Sequence, residues 1–154
     1  MRLTDLVTPE AILPALKVNS KKQALQELSD RAGQVSGLPP REIFDALLQR
    51  ERLGSTGIGN GIAIPHGKLS KTKGIHGVFA RLDRPIDFES LDAIPVDLIF
   101  LLIAPESAGA DHLKALARMA RVLRDPDLTT KLRATRDASA LYAVLTQAAT
   151  THAA

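Results

Sequence analysis

The chain has no cysteine and no tryptophan. Without thiols, a disulfide scaffold, a thiolate nucleophile, a Cys-ligated zinc and an iron–sulfur cluster are all excluded. Aromatic rings are scarce: four Phe and one Tyr amount to 3% of the residues, too few for base-stacking platforms. A surplus of one charge is missing too, since 20 Lys and Arg face 17 Asp and Glu and leave +3. An excess that small is no nucleic-acid footprint. Long apolar runs are also absent. The longest, Leu98 to Ala104, lies between Asp97 and Pro105, far short of the ~20 residues of a membrane-spanning helix. Residues Met1 to Val7 carry a charge with no extended apolar stretch behind it, which argues against a secretory signal.

What is present is an ordinary globular mixture, 154 residues with 45% hydrophobic and 24% charged. The length predicts one domain over residues 1–150, expected in the cytoplasm with no membrane insertion and no nucleic-acid partner. The end from Gln147 to Ala154 is small and polar, so fraying is expected there and a flexible tail over residues 151–154.

Hydrophobic spacing gives the order of elements. Ile12 to Val18 reads as a first strand that Pro14 confines to an edge. Ser20 is placed to cap a helix to about Gln34, with Ala24, Leu25, Leu28 and Ala32 at helical spacing and Gly37 closing it. Pro40 opens a second helix that carries Ile43, Phe44, Leu47 and Leu48 on one face. Gly54 to Gly61 holds four glycines in eight residues and reads as a loop. The short extended piece Ile62–Pro65 follows, with His66 at its end. Ile75 to Leu82 alternates as a strand, Asp83 to Ser90 reads as a turn-rich connection, and Val96 to Ala104 suits a central strand buried on both faces. From Asp111 a helix is predicted, with Leu113, Leu116, Ala117, Ala120, Val122 and Leu123 as its apolar stripe. Asp125-Pro126 ends it. A short piece over Leu128–Ala134 and a helix from about Asp137 to Ala148 complete an α+β pattern with helices on both sides of a mixed sheet.

Four histidines are candidates for chemistry: His66, His76, His112 and His152. His152 lies in the tail, and His76 within a predicted strand. His66 follows a proline, precedes Gly67 and comes just after the glycine loop, a placement that exposes a side chain and admits a phosphate. A turn histidine without a role fits the same spacing. His112 falls in a predicted first helical turn, where unpaired N–H groups attract anions; plain capping by Asp111 or Ser107 explains the same residues and is preferred on them alone. Arg50 and Arg52 end a helix just before the loop; Arg118, Arg121 and Arg124 fit a solvated helix face and equally a surface for an acidic partner. Gly57-x-Gly59-x-Gly61 is not a dinucleotide fingerprint, no P-loop follows, and neither zinc-hydrolase spacing nor a nucleophile elbow occurs. No metal or cofactor is expected.

The run from Arg50 through Gly54-Ser-Thr-Gly-Ile-Gly-Asn-Gly61 to Ile62-Ala-Ile-Pro-His66-Gly67-Lys68 resembles the phosphorylation-site segment of fructose/mannitol-type enzyme IIA domains. These belong to the bacterial phosphotransferase system, and within it the chain is most similar to the nitrogen-related enzyme IIA. Residues 111 to 125 resemble the family's second histidine segment. The resemblance implies a three-layer α/β/α sandwich around a mixed sheet of four to five strands. It also implies His66 as phosphoacceptor, His112 as second site histidine, and Arg50 as holder of the phosphoryl group. Gly57, Gly59, Asn60, Gly61 and Gly67 are expected to form a phosphate-binding loop. The implied donor is a histidine phosphocarrier protein of the nitrogen branch, and the implied targets are potassium transporters or sensor kinases. The absence of any attached permease or carrier segment favours the stand-alone regulatory type. With an ordinary pKa of ~6.5, about three-quarters of such imidazoles are neutral at pH 7, so no general base is needed. A pure binding regulator, in which His66 chemistry is incidental, is the alternative.

Overall fold

The computed structural model describes residues 2–151. In chain order the elements are α1 (Leu3–Leu6), β1 (Ile12–Leu16), α2 (Lys21–Ser36), α3 (Pro40–Arg52), β2 (Gly57–Gly59), β3 (Ile62–Ala63), β4 (His66–Leu69), β5 (His76–Ile86), β6 (Val96–Pro105), α4 (Ala110–Val122), α5 (Pro126–Ala134) and α6 (Ala138–Thr151). Single 3-10 turns over Pro9–Ala11 and Glu106–Ala108 precede β1 and α4.

The sheet is organised around β6. Every residue from Leu98 to Ala104 is fully buried, and alternate side chains of a strand point to opposite faces, so both faces are covered. That makes three layers. β6 pairs antiparallel with β5 on one side and parallel with β3 and β4 on the other. β3 and β4 lie end to end along β6, interrupted by Ile64-Pro65, so six strand segments make a mixed sheet five strands wide. β1 is the parallel edge strand beside β5, as Pro14 requires, with an irregular register between Leu13 and Leu16. The guanidinium of buried Arg81 takes up the Pro14 carbonyl at that irregularity (3.2 Å) and the Arg133 carbonyl of α5 (2.8 Å).

Helix α2 begins at Ser20, whose hydroxyl accepts the Gln23 N–H (3.1 Å), and stops at Gly37 with φ +77°. It packs against α3 and β5, while α3 packs on β4. α4 meets β6, α5 meets α6, and α6 covers β1.

Several expectations shift. β5 continues past Leu82 to Ile86, which pairs with Val96 after a bulge, so the connection to β6 is shorter than residues 83–90. The glycine-rich stretch is a small antiparallel β2–β3 hairpin turning at Asn60 (φ +58°) and Gly61 (φ +82°). His66 opens a strand instead of ending one in a turn. α4 follows the predicted stripe only in part: Val122 and Leu123 are buried and Leu116 and Ala120 half-buried, but Leu113 is 67% exposed, and His112, Ala115 and Met119, outside that stripe, face inward. The backbone is helical as far as Thr151, beyond the predicted end at Ala148. His152 and residues 152–154 lie outside the described residues.

Candidate functional site

α3, β4 and the start of α4 deliver Arg50, His66 and His112 to one place. Pro65 cannot donate to a ladder, but its carbonyl accepts the Leu102 N–H (2.9 Å) and locks His66 opposite Leu102. Gly67 comes next because a Cβ there would stand 3.2 Å from the Ala46 side chain of α3. Helix and strand are thereby close enough for Arg50, in the last turn of α3, to reach His66.

The ring of His66 has a defined tautomer. Its Nδ1 lies 2.9 Å from the Ile64 carbonyl oxygen, which can only accept, so Nδ1 carries the proton. Nε2 therefore holds a lone pair, and the Arg50 Nε–H donates to it at 3.2 Å. The Arg50 Nη1–H donates to the Gly54 carbonyl at 2.9 Å, which fixes the plane of the guanidinium. Burial pushes the His66 pKa below the ordinary imidazole value; the Ile64 carbonyl opposes this, Arg50 adds to it, and Glu51 opposes it.

His112 stands edge-on to His66, with ring centroids 5.6 Å apart and planes at 63°. It is 4% exposed, and neither ring nitrogen has a hydrogen-bond partner among the described residues. Burial lowers its pKa first, with His66 and Lys68 adding to the effect. An imidazole left without partners beside another imidazole has hydrogen-bonding capacity to offer a bound group.

The structure brings together only part of the expected set. Arg52 is exposed and no contact ties it to His66, whereas Arg50 touches the ring. Gly67 adjoins His66. Gly57, Gly59, Asn60 and Gly61 do not gather round it: Ile62 pairs with Leu98 and His66 with Leu102, about 13 Å along the strand. The Gly57 N–H donates to Ser55 Oγ and the Asn60 N–H to Asp92 Oδ2. The Asn60 carbonyl accepts from Arg133, and a Cβ on Gly61 would meet that guanidinium at 2.7 Å. These glycines serve the close packing of the hairpin on Ser90, Asp92 and Arg133. His76 opposes Ile103 on the other side of β6, with its pKa lowered by burial. No group of three or more potential metal ligands occurs among the described residues. The carbonyls of Ile64 and Gly54 were invisible to motif reading because a backbone acceptor carries no residue-type signal.

The family described as phosphoenolpyruvate-dependent sugar phosphotransferase system, EIIA 2, matches residues 5–148. The chain belongs to the EIIA-2 family. This EIIA chain is 69% identical over 145 residues to a nitrogen regulatory protein of Bradyrhizobium diazoefficiens, covering 94% of the chain and 95% of that protein. It is 42% identical over 147 residues to the nitrogen regulatory protein of Escherichia coli K12, covering 95% and 90%. The crystal structure of nitrogen regulatory protein IIA-Ntr from Neisseria meningitidis superposes with a TM-score of 0.89 at 34% identity, covering 94% of this EIIA chain and 99% of that one. Among the described residues, no helix is long and apolar enough to cross a membrane.

Proposed function

We propose that this EIIA chain is a cytoplasmic phosphocarrier and regulator of the nitrogen-related phosphotransferase system, working as one domain over residues 1–150. His66 accepts a phosphoryl group from a histidine phosphocarrier protein, and partner proteins respond to its phosphorylation state. The observation that carries this reading is the pair of contacts on the His66 ring. One contact fixes the proton on Nδ1, and the other marks the lone pair on Nε2.

In the proposed step, Nε2 attacks phosphorus in line as the donor's P–N bond breaks. The donor imidazole keeps that electron pair. The new Nε2–P bond leaves positive charge on the His66 ring, and the Ile64 carbonyl, already hydrogen-bonded to Nδ1, stabilises it. Arg50 gives up the lone pair and turns its N–H groups to the phosphoryl oxygens, for which a guanidinium fork is suited. His112 supplies a further hydrogen bond from a ring that has no hydrogen-bond partner among the described residues. Little covalent work falls to the protein, so positioning and charge account for the catalysis.

Exposed Leu53 (85%) and Leu113 (67%), neighbours in sequence of the site's helix ends, support protein docking at this face. A phosphoryl group adds about −1 to −2 of charge there, a change that a potassium transporter or sensor kinase of the kind implied for the family would read. Incubation with phosphoenolpyruvate, enzyme I and the carrier protein tests the proposal. An acid-labile, base-stable label absent from His66→Ala is expected. No label on the wild-type protein would leave only docking regulation.

A further inference from the structure

Glu51 follows Arg50 in sequence, yet its carboxylate turns inward and its side chain is only 5% exposed. Three donors meet it. Lys21 Nζ, at the start of α2, lies 2.9 Å from Oε1; the Thr56 N–H donates to Oε1 at 3.1 Å; and the Thr56 hydroxyl donates to Oε2. Lys21 is itself held 4.8 Å over the Phe88 ring and 3.6 Å from the Glu89 carboxylate. One buried carboxylate thus joins the start of α2, the end of α3 and the approach to the β2–β3 hairpin.

The link between Glu51 and Thr56 spans five residues and closes the turn that leaves α3. Inside that turn the Leu53 N–H donates to the Arg50 carbonyl and the Gly54 N–H to the Glu51 carbonyl, both at 3.1 Å. Gly54 has φ +145°, a conformation that L side chains rarely adopt. The product of this turn is a carbonyl at Gly54 aimed back at Arg50 Nη1. That carbonyl and His66 Nε2 are the two acceptors that orient the guanidinium. A phosphorylated Nε2 no longer accepts, which leaves the Gly54 carbonyl to hold the arginine while it faces the phosphoryl group.

We propose that Glu51 is a positioning residue for phosphoryl transfer: by clamping Thr56 it sets the Gly54 carbonyl, and through it the aim of Arg50 at His66. The inference rests on the reading of His66 as acceptor and Arg50 as its anion partner. A buried ion pair that only stabilises the fold would also use the Thr56 donors, but then the loss of either Lys21 or the Thr56 hydroxyl would change transfer only as far as it lowers stability. Thr56→Val and Lys21→Met therefore separate the two roles, since the first breaks half of the clamp at nearly constant volume and the second removes the cation while leaving the clamp.

The test combines the melting temperature, the rate of phosphoryl transfer from the carrier protein, and hydrogen exchange of the Arg50 Nε–H resonance in the unphosphorylated protein. Thr56→Val is expected to slow transfer about tenfold at unchanged KM for the carrier and to speed Nε–H exchange about tenfold, as expected for a misplaced group remote from the bond that forms. Glu51→Gln, which keeps one acceptor for Thr56, should lose less than Glu51→Ala. Lys21→Met should lower the melting temperature yet keep transfer and exchange within about twofold of wild type, since its loss leaves the positioned groups in place. Wild-type transfer and exchange in Thr56→Val, or losses in both variants that merely track melting temperature, would overturn the inference. A wild-type protein that takes up no phosphate would instead overturn the His66 reading, while the Arg50 resonance would still decide whether the clamp aims the guanidinium.

Discussion

On the His66 ring, two nitrogens that are chemically alike in solution are made different by one backbone oxygen and one guanidinium. Removing the guanidinium has a sharply local effect. Arg50→Ala should slow phosphoryl transfer on the order of a hundredfold, the scale on which one aligned charged donor acts in a transition state. Folding should change little, because a partly exposed arginine contributes little to stability. Matched loss of melting temperature and rate would contradict this. Burial holds His66, His112 and His76 below the ordinary imidazole value. As pH falls below ~6.5 the unfolded chain takes up protons on these rings before the folded chain does, so stability falls with pH in that window. Melting temperature measured from pH 7.5 down to 5 should decline below about 6.5, and His112→Asn should flatten part of that decline. The same sign keeps Nε2 neutral in mildly acidic solution, so the acid limb of the transfer rate is expected below ~6.5.

At the level of elements, α4 shows how two readings of one sequence compete. Leu113, Leu116, Ala117 and Ala120 lead the predicted stripe, whereas Val122 of that same set lines up with Ala115 and Met119 in a second stripe about a third of a turn away. The second stripe is the buried one, and it turns His112 inward with it. Spacing alone has no means to choose between the stripes, because the choice depends on which one fits β6. Denaturant unfolding can check the phase. Met119→Ala should cost roughly 2–5 kcal/mol, as core methionine truncations do, whereas Leu113→Ser should cost under about 0.5 kcal/mol. A destabilising Leu113→Ser would support the stripe read from spacing. Other elements were plain from local chemistry: Ser20 and Gly37 bracket α2, Pro40 begins α3, and Pro14 keeps β1 at an edge. Their limits are set by capping and φ restrictions within a few residues, which sequence carries directly.

Across the whole molecule, the site forms at the carboxyl end of β6, where open α/β sheets commonly place their ligands. β4 runs parallel to that end with His66 opposite Leu102, and the chain leaving β6 at Pro105 reaches His112 through one 3-10 turn. The opposite end of β6 is tied separately. Arg133 of α5 binds the Asp97 carboxylate (3.0 Å) and the Asn60 carbonyl (2.7 Å), holding the glycine hairpin to the sheet. Arg133→Ala is expected to lower stability by about 1 kcal/mol, the scale of a partly exposed ion pair, and to leave phosphoryl transfer near wild type. A large loss of transfer without unfolding would mean that the hairpin serves the phosphate directly.

The sequence by itself determined the family, the segment that carries His66 and the order of elements around it. With no cysteine and few histidines, the Ile-Pro-His66-Gly67 run and its upstream arginine form a pattern of neighbours, and neighbours are what a sequence records. It left undetermined which groups meet. His112 reads as a plain first-turn residue until packing on β6 fixes the rotation of α4, and the glycine hairpin reads as a phosphate cradle until strand register carries it along β6 away from His66. The proton on Nδ1, the lone pair on Nε2 and the aim of Arg50 all rest on backbone carbonyls. Every residue has one, so only the folded chain decides which of them is near enough to act.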